Sequence, residues 1–179
     1  MKFQLPVLLT VFLFLSSAIA QTSAVVDVTL NPMGSFKAQT SSVKGYVTQI
    51  PGGFKGENIT VNLKDLKTGV GLRDEHLKDK YLEVSKYPEA VLTLGEGKAG
   101  KGTGTIKVHG VEQPISGTYE VKGKFLTAHF PLKISDFKIK EVNYKGIGAE
   151  DEVQVHVTVP IQAGAAASAA GTKPVPKKK

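Results

Sequence analysis

The chain has 179 residues, no cysteine, no tryptophan and a formal net charge of +7. Without cysteine it has no disulfide, thiolate nucleophile or acylated lipobox. Setting aside Lys2 and the tail lysines Lys173, Lys177, Lys178 and Lys179 from the 23 basic residues leaves 18 against 16 acidic ones, too even a balance for a nucleic-acid-binding face.

In chain order, the first element is Lys2 followed by the apolar run "LPVLLTVFLFL" and then "SSAIA", with Ala18 and Ala20 at signal-peptidase spacing. The run from Leu5 to Leu15 is too short to cross a bilayer, so residues 1–20 read as a secretory signal peptide and the mature chain as a periplasmic protein. Residues 21–161 then suit one domain.

From Val25 onward, apolar residues recur at every second position, the period of a strand with one buried face. "VVDVTL" puts Val26, Val28 and Leu30 on one face, and a further strand or two is expected between Met33 and Ile50. "NITVNL" puts Ile59, Val61 and Leu63 together. Between residues 69 and 88 the alternation breaks. Leu77, Tyr81 and Val84 fall at i, i+4, i+7, with Leu72 and His76 four apart, which predicts a short helical insert over residues 71–84. Pro88 then disfavours helix at Tyr87 and opens the next strand.

Alternation resumes in "PEAVLTL" (Ala90, Leu92, Leu94), "TIKVHG" (Ile106, Val108) and "ISGTYEV" (Ile115, Gly117, Tyr119, Val121). "FLTAHFPLKI" adds Leu126, Ala128, Phe130, Leu132 and Ile134, and "EVQVHVTVP" adds Val153, Val155, Val157 and Val159. The connections "PGG", "GEGKAGKG", "HGVEQP" and "KGK" are short and turn-rich, which favours antiparallel pairing. About eight such strands are best protected by closing into a barrel, so the fold class is all-β, a single antiparallel lipocalin-like barrel. An outer-membrane barrel would need aromatic girdles, and aromatics are only 7 % here. Residues 162–179, rich in Ala, Pro and Lys, read as a disordered tail. Its charge could touch an acidic envelope surface.

The ordered run of "GLRDEHL", "YLEVSKYPEAVLTL", "GTGTIKVHGVEQPISGTYEV", "KISDFKI" and "IGAEDEVQVHVTV" resembles the YceI-like family of exported polyisoprenoid-binding proteins over roughly residues 43 to 160. The residues that carry the resemblance are Arg73, Asp74, His76, Leu77, Lys86, Tyr87, Pro88, Gly110, Val111 and Pro114. At the N-terminal end "AVVDVTL" and "NPMGSFKAQT" stand where the family usually has a Trp-containing first strand and a His-Ser start to the second. The resemblance implies an extended barrel whose apolar interior holds a long isoprenoid chain, and it implies no catalytic residue.

Chemistry is sparsely signalled. No two of His76, His109, His129 and His156 are spaced to share a helix or strand face, so a metal site would need tertiary convergence. His129 and His156 stand between core-facing neighbours and are expected to point outward. No nucleophile elbow or phosphate-binding loop occurs, and Glu150, Asp151 and Glu152 read as a solvated turn. No enzyme activity, metal or cofactor is assigned.

A long apolar ligand needs a continuous apolar lining, and the alternating faces supply one: Val61, Leu63, Leu92, Leu94, Ile106, Val108, Tyr119, Ala128, Phe130, Leu132, Val155 and Val157, with Leu77 and Tyr81 from the insert as lid. A filled core would use the same faces; the small interior residues Ala90, Gly117 and Ala128 favour a cavity. Arg73 and His76 are the candidate headgroup or lid-anchoring groups, with Asp74 and Asp79 as nearby partners for the arginine. The expected ligand is a polyisoprenoid or related lipid. The alternative is a structural or partner-binding envelope protein with a filled barrel and a contacting tail. The reading leaves dimerisation open.

Overall fold

A computed structural model describes residues 21–32, 34–140, 142–144 and 146–164; residues 1–20, expected as a signal peptide, and residues 165–179 of the expected tail lie outside them. The strands are β1 (Ser23–Asn31), β2 (Ser35–Thr40), β3 (Val43–Lys44), β4 (Val47–Ile50) and β5 (Gly53–Asn62) before the insert. After it come β6 (Glu89–Lys98), β7 (Lys101–Val108), β8 (Val111–Lys122), β9 (Phe125–Lys133), β10 (Asn143–Tyr144), β11 (Ile147–Ala149) and β12 (Glu152–Gln162). The insert is one α-helical turn, α1 (Gly71–Glu75), running directly into a π-helical turn at His76–Tyr81.

The long strands form where the sequence alternates. On β9, Leu126 and Phe130 are buried while Pro131 and Lys133 face outward, and on β12 Val153, Val155 and Val159 are buried. β5 to β9 make an antiparallel meander, β9 pairs with β12 from Lys133↔Glu152 to Phe125↔Pro160, and β12 reaches β4 through Ile161 and Gln162. That last contact is parallel, and it closes a ring of seven strands: β4, β5, β6, β7, β8, β9 and β12. The β1–β2 hairpin lies on the other part of β12, and Gln39 bridges to Lys67 across the remaining gap. Closure removes the unpaired edges that an open sheet of this length would present.

The expected barrel is therefore present, with local corrections. The glycine-rich "GEGKAGKG", expected as a connection, is mostly strand: Gly95 pairs with Gly104 and Gly97 with Gly102, and only Ala99 and Gly100 turn. "HGVEQP" likewise contributes only His109 and Gly110 to the turn, both at positive φ, as a type I′ hairpin requires. β10 and β11 are short additions that the pattern does not announce. β12 runs to Gln162, one residue into the stretch that composition assigns to the tail.

Two of the motifs that carry the resemblance meet at this hairpin. A Cβ on Gly110 would stand 2.7 Å from the Tyr87 ring, so the glycine lets Tyr87 lie against the turn, 4.5 Å between its ring and that of His109. His109 is fixed from both sides, with Nε2 3.0 Å from Glu83 and Nδ1 3.1 Å from the Phe137 carbonyl. The end of the insert, the hairpin and the turn after β9 are thereby tied at one corner.

Candidate functional site

Inside the barrel the inward faces leave two apolar cavities. One, of about 130 Å³, lies toward the β4–β5 and β6–β7 hairpins and is lined by Phe54, Leu92, Tyr119, Leu126, Ala128 and Val159 among others. The second, of about 160 Å³, lies under the insert against Val28, Leu63, Leu77, Tyr81, Leu132, Phe137 and Val155. Val61, Ala90, Ile106, Phe130 and Val157 line both, forming a belt between two chambers of one lumen. Phe130, 7 % exposed, is the largest side chain of that belt.

The predicted lining residues distribute over these chambers. Leu92, Tyr119 and Ala128 face the hairpin-end chamber; Leu63, Leu77, Tyr81, Val108, Leu132 and Val155 face the lid-end chamber; Val61, Ile106, Phe130 and Val157 face both. Leu94 is the exception. Thr93 bulges out of the β6–β7 ladder, so that Leu92 pairs with Ile106 and Leu94 with Thr105. One extra residue flips every side chain beyond it, leaving Leu94 44 % exposed and turning Gly95 and Gly97 inward.

The insert also departs from a simple helical period. Its π turn carries the bond from the Leu82 N–H to the Leu77 carbonyl, five residues back, so Leu82 joins Leu77 over the chamber while Leu72 is 55 % exposed. Sequence reasoning at a period of 3.6 passes over Leu82, and only the extra residue of the π turn brings it inward. Tyr81 is buried, and its hydroxyl donates to the Asn143 carbonyl at 3.2 Å, pinning the lid to β10.

Arg73 anchors the lid, with different partners from those expected. Its Nη2 donates to the Thr68 carbonyl at 3.0 Å, and its guanidinium carbon lies 4.2 Å over the centre of the Phe36 ring. Phe36 in turn lines the lid-end chamber. A flat, delocalised guanidinium suits an aromatic face. Among the described residues, no ion pair joins Arg73 to Asp74 or Asp79. Neither Arg73 nor His76 lines a chamber; His76 is half-buried at the junction of α1 and the π turn.

Asp74 accepts hydrogen bonds from both the hydroxyl and the backbone N–H of Thr68. The Thr68 hydroxyl is the main cause that holds its carboxyl below the ordinary 3.8. A depressed carboxyl pKa stabilises the fold above the unfolded-state value, and that contribution is lost as pH falls through the folded-state one. The expected result is that amide protection of residues 71–82, relative to the barrel strands, is flat from about pH 7 to 5 and falls below about pH 4. Asp74→Asn should abolish the step. A wild-type lid as protected at about pH 3 as at about pH 6 would contradict this anchoring.

The wall is polar outside and apolar inside: Lys37, Asp27, Glu120, His129 and His156 carry the outer faces of their strands. An outer-membrane barrel has the reverse arrangement. Among the described residues, no helix is long and apolar enough to cross a membrane.

Comparison with known proteins agrees with this geometry. The crystal structure of BcnA from Burkholderia cenocepacia superposes with a TM-score of 0.59 at 18 % identity, covering 76 % of this chain and 96 % of that one. A polyisoprenoid binding domain from Saccharophagus degradans, implicated in plant cell wall breakdown, superposes with a TM-score of 0.54 at 12 % identity, covering 76 % of this chain and 91 % of that one. At these identities the likeness establishes the fold. No curated protein matches the sequence. The model of the YceI-like domain matches residues 17–161, and with the barrel, the lid and the Tyr87–Gly110 corner in place, the chain belongs to the YceI-like family.

Proposed function

We propose that this protein is an exported, periplasmic binding protein, without catalytic activity, that sequesters or carries a polyisoprenoid or a similarly long apolar chain inside its barrel. The observation that carries this reading is the pair of apolar chambers inside the barrel, one at the hairpin end and one under the lid, set against the two sides of a shared apolar belt. Family membership and the ligand named for the Saccharophagus domain support the same ligand class.

The energetics favour recognition of the chain over that of a headgroup. Removing a five-carbon unit from water contributes at most about 4 kcal/mol, at roughly 0.8 kcal/mol per carbon. The one arginine of the insert bonds Thr68 through Nη2 and lies over Phe36, and it lines neither chamber. Each chamber is close in size to an engineered cavity of about 150 Å³ that admits benzene. A chain of several isoprene units therefore has to pass the belt, and binding requires Phe130 and its neighbours to move aside.

The test is native mass spectrometry of the protein purified from its own host, followed by organic extraction of whatever is bound. A stoichiometric isoprenoid or comparable long-chain lipid is the expected result. A ligand-free mass that stays unchanged after incubation with isoprenoids would overturn the proposal in favour of a filled barrel that acts through its surface or tail.

A further inference from the structure

We propose that His129 and His156 form a two-nitrogen chelating site for Cu(II) on the outer wall of the barrel. The register of β9 and β12 sets the two residues directly opposite each other, each between chamber-lining neighbours, Ala128 and Phe130 or Val155 and Val157, with side chains 35 % and 32 % exposed. Their Nδ1 atoms are 2.6 Å apart. Each ring turns its other nitrogen toward a carboxylate: Nε2 of His156 lies 3.4 Å from Asp27, and Nε2 of His129 lies 3.8 Å from Glu120. The two Nδ1 atoms are within hydrogen-bond distance of each other, while the Nε2 atoms, 3.4 and 3.8 Å from their carboxylates, face away from the contact. A proton shared between them, or a metal ion bound by both, satisfies that arrangement.

The distances choose among metals. With metal–nitrogen bonds of about 2.0 Å, two ligands at a right angle stand about 2.8 Å apart and two at the tetrahedral angle about 3.3 Å apart. The observed 2.6 Å is near the first value, and half-exposed rings can part by the small remainder. Right-angled nitrogen pairs suit the square-planar or tetragonal Cu(II) and Ni(II), and the Irving–Williams order places copper first. The flanking carboxylates are the partners that orient a metal-bound imidazole. Lys37 holds Asp27 at 2.7 Å, so Asp27, Glu120 and Lys37 together leave one net negative charge around the pair. Among the described residues, no three metal-binding side chains gather at one point. The remaining coordination positions are therefore open to water or another small ligand, as in a site that captures and releases its ion.

The experiment uses untagged full chain titrated with copper sulfate against a glycine competitor, with electron paramagnetic resonance of the one-equivalent complex. One Cu(II) per chain is expected, with hyperfine coupling to two imidazole nitrogens. His129→Gln and His156→Gln should each weaken binding by about 30-fold or more, and Asp27→Asn by about 10-fold. Zn(II) should bind at least about 10-fold more weakly than Cu(II). His76→Gln should leave the affinity unchanged. A single-nitrogen spectrum from the wild-type protein overturns the site without recourse to any variant. Wild-type copper affinity in His156→Gln, tighter binding of zinc than copper, or loss at His76→Gln would also overturn it.

Discussion

Replacing Phe130 with alanine is expected to remove about 3–5 kcal/mol of unfolding free energy and, at the same time, to lengthen the apolar chain that the barrel accepts. Phe130 is buried at the belt and borders both chambers. Its loss costs the transfer energy of the ring and the cavity it leaves. That cavity joins two chambers of about 130 and 160 Å³ end to end. Denaturant unfolding of the ligand-free variant measures the first effect. Competition among apolar chains of graded length, read by native mass spectrometry, measures the second. Bound ligand should restore part of the lost stability in proportion to its occupancy. A variant that is destabilised and shows the wild-type preference for chain length would mean that ligands enter one chamber only and that the belt is ordinary core.

A comparable loss is expected from a change of only one methyl group. A Cβ built on Gly117 would stand 2.1 Å from the carbonyl oxygen of His129 and 2.8 Å from Cβ of Phe130. Both belong to β9, the strand that β8 pairs with, so Gly117→Ala has to push the two strands apart. The expected cost is about 3 kcal/mol, the upper end for overpacking, because a backbone oxygen cannot swing away as a side chain can. Gly71→Ala is the contrasting control. Nothing lies within 4 Å of its Cβ, and the residue starts α1, so the exchange should be stabilising by up to about 1 kcal/mol. Thermal unfolding of the two variants side by side should separate them in opposite directions. Equal effects would mean that β8 and β9 are more pliable than their close approach indicates.

Gly117 also shows how far the sequence carries the structure. Read as a small interior residue, it suggests room for a ligand; it does border a chamber, but what requires glycine there is the approach of the neighbouring strand. The inward faces of β7, β8 as far as Tyr119, β9 and β12 were legible because a period of two survives any tertiary arrangement of uninterrupted strands; Val121, expected on the same face of β8, is 47 % exposed near the strand's end. Leu94 was misplaced because a bulge at Thr93 leaves no mark in the pattern of side chains. Leu82 was missed because a π turn adds one residue to the helical repeat. Arg73 was legible as an anchor, yet its partners, a carbonyl and an aromatic ring, belong to Thr68 and to distant Phe36. The opposition of His129 and His156 was beyond reach for a related reason. They are separated by 27 positions, and only the pairing of β9 with β12 brings them together.

That pairing has a consequence for how the barrel comes into being. β12 is the last strand among the described residues, and it pairs with β9, β1 and β4. While the chain grows from its N-terminus, the meander from β5 to β9 can already form through local hairpins, which close quickly. Until β12 arrives it remains an open trough with two raw edges and its greasy side uncovered. That strand is therefore the keystone: without it the lumen lies open along its length, and a ligand present before it docks would be enclosed without ever passing the lid.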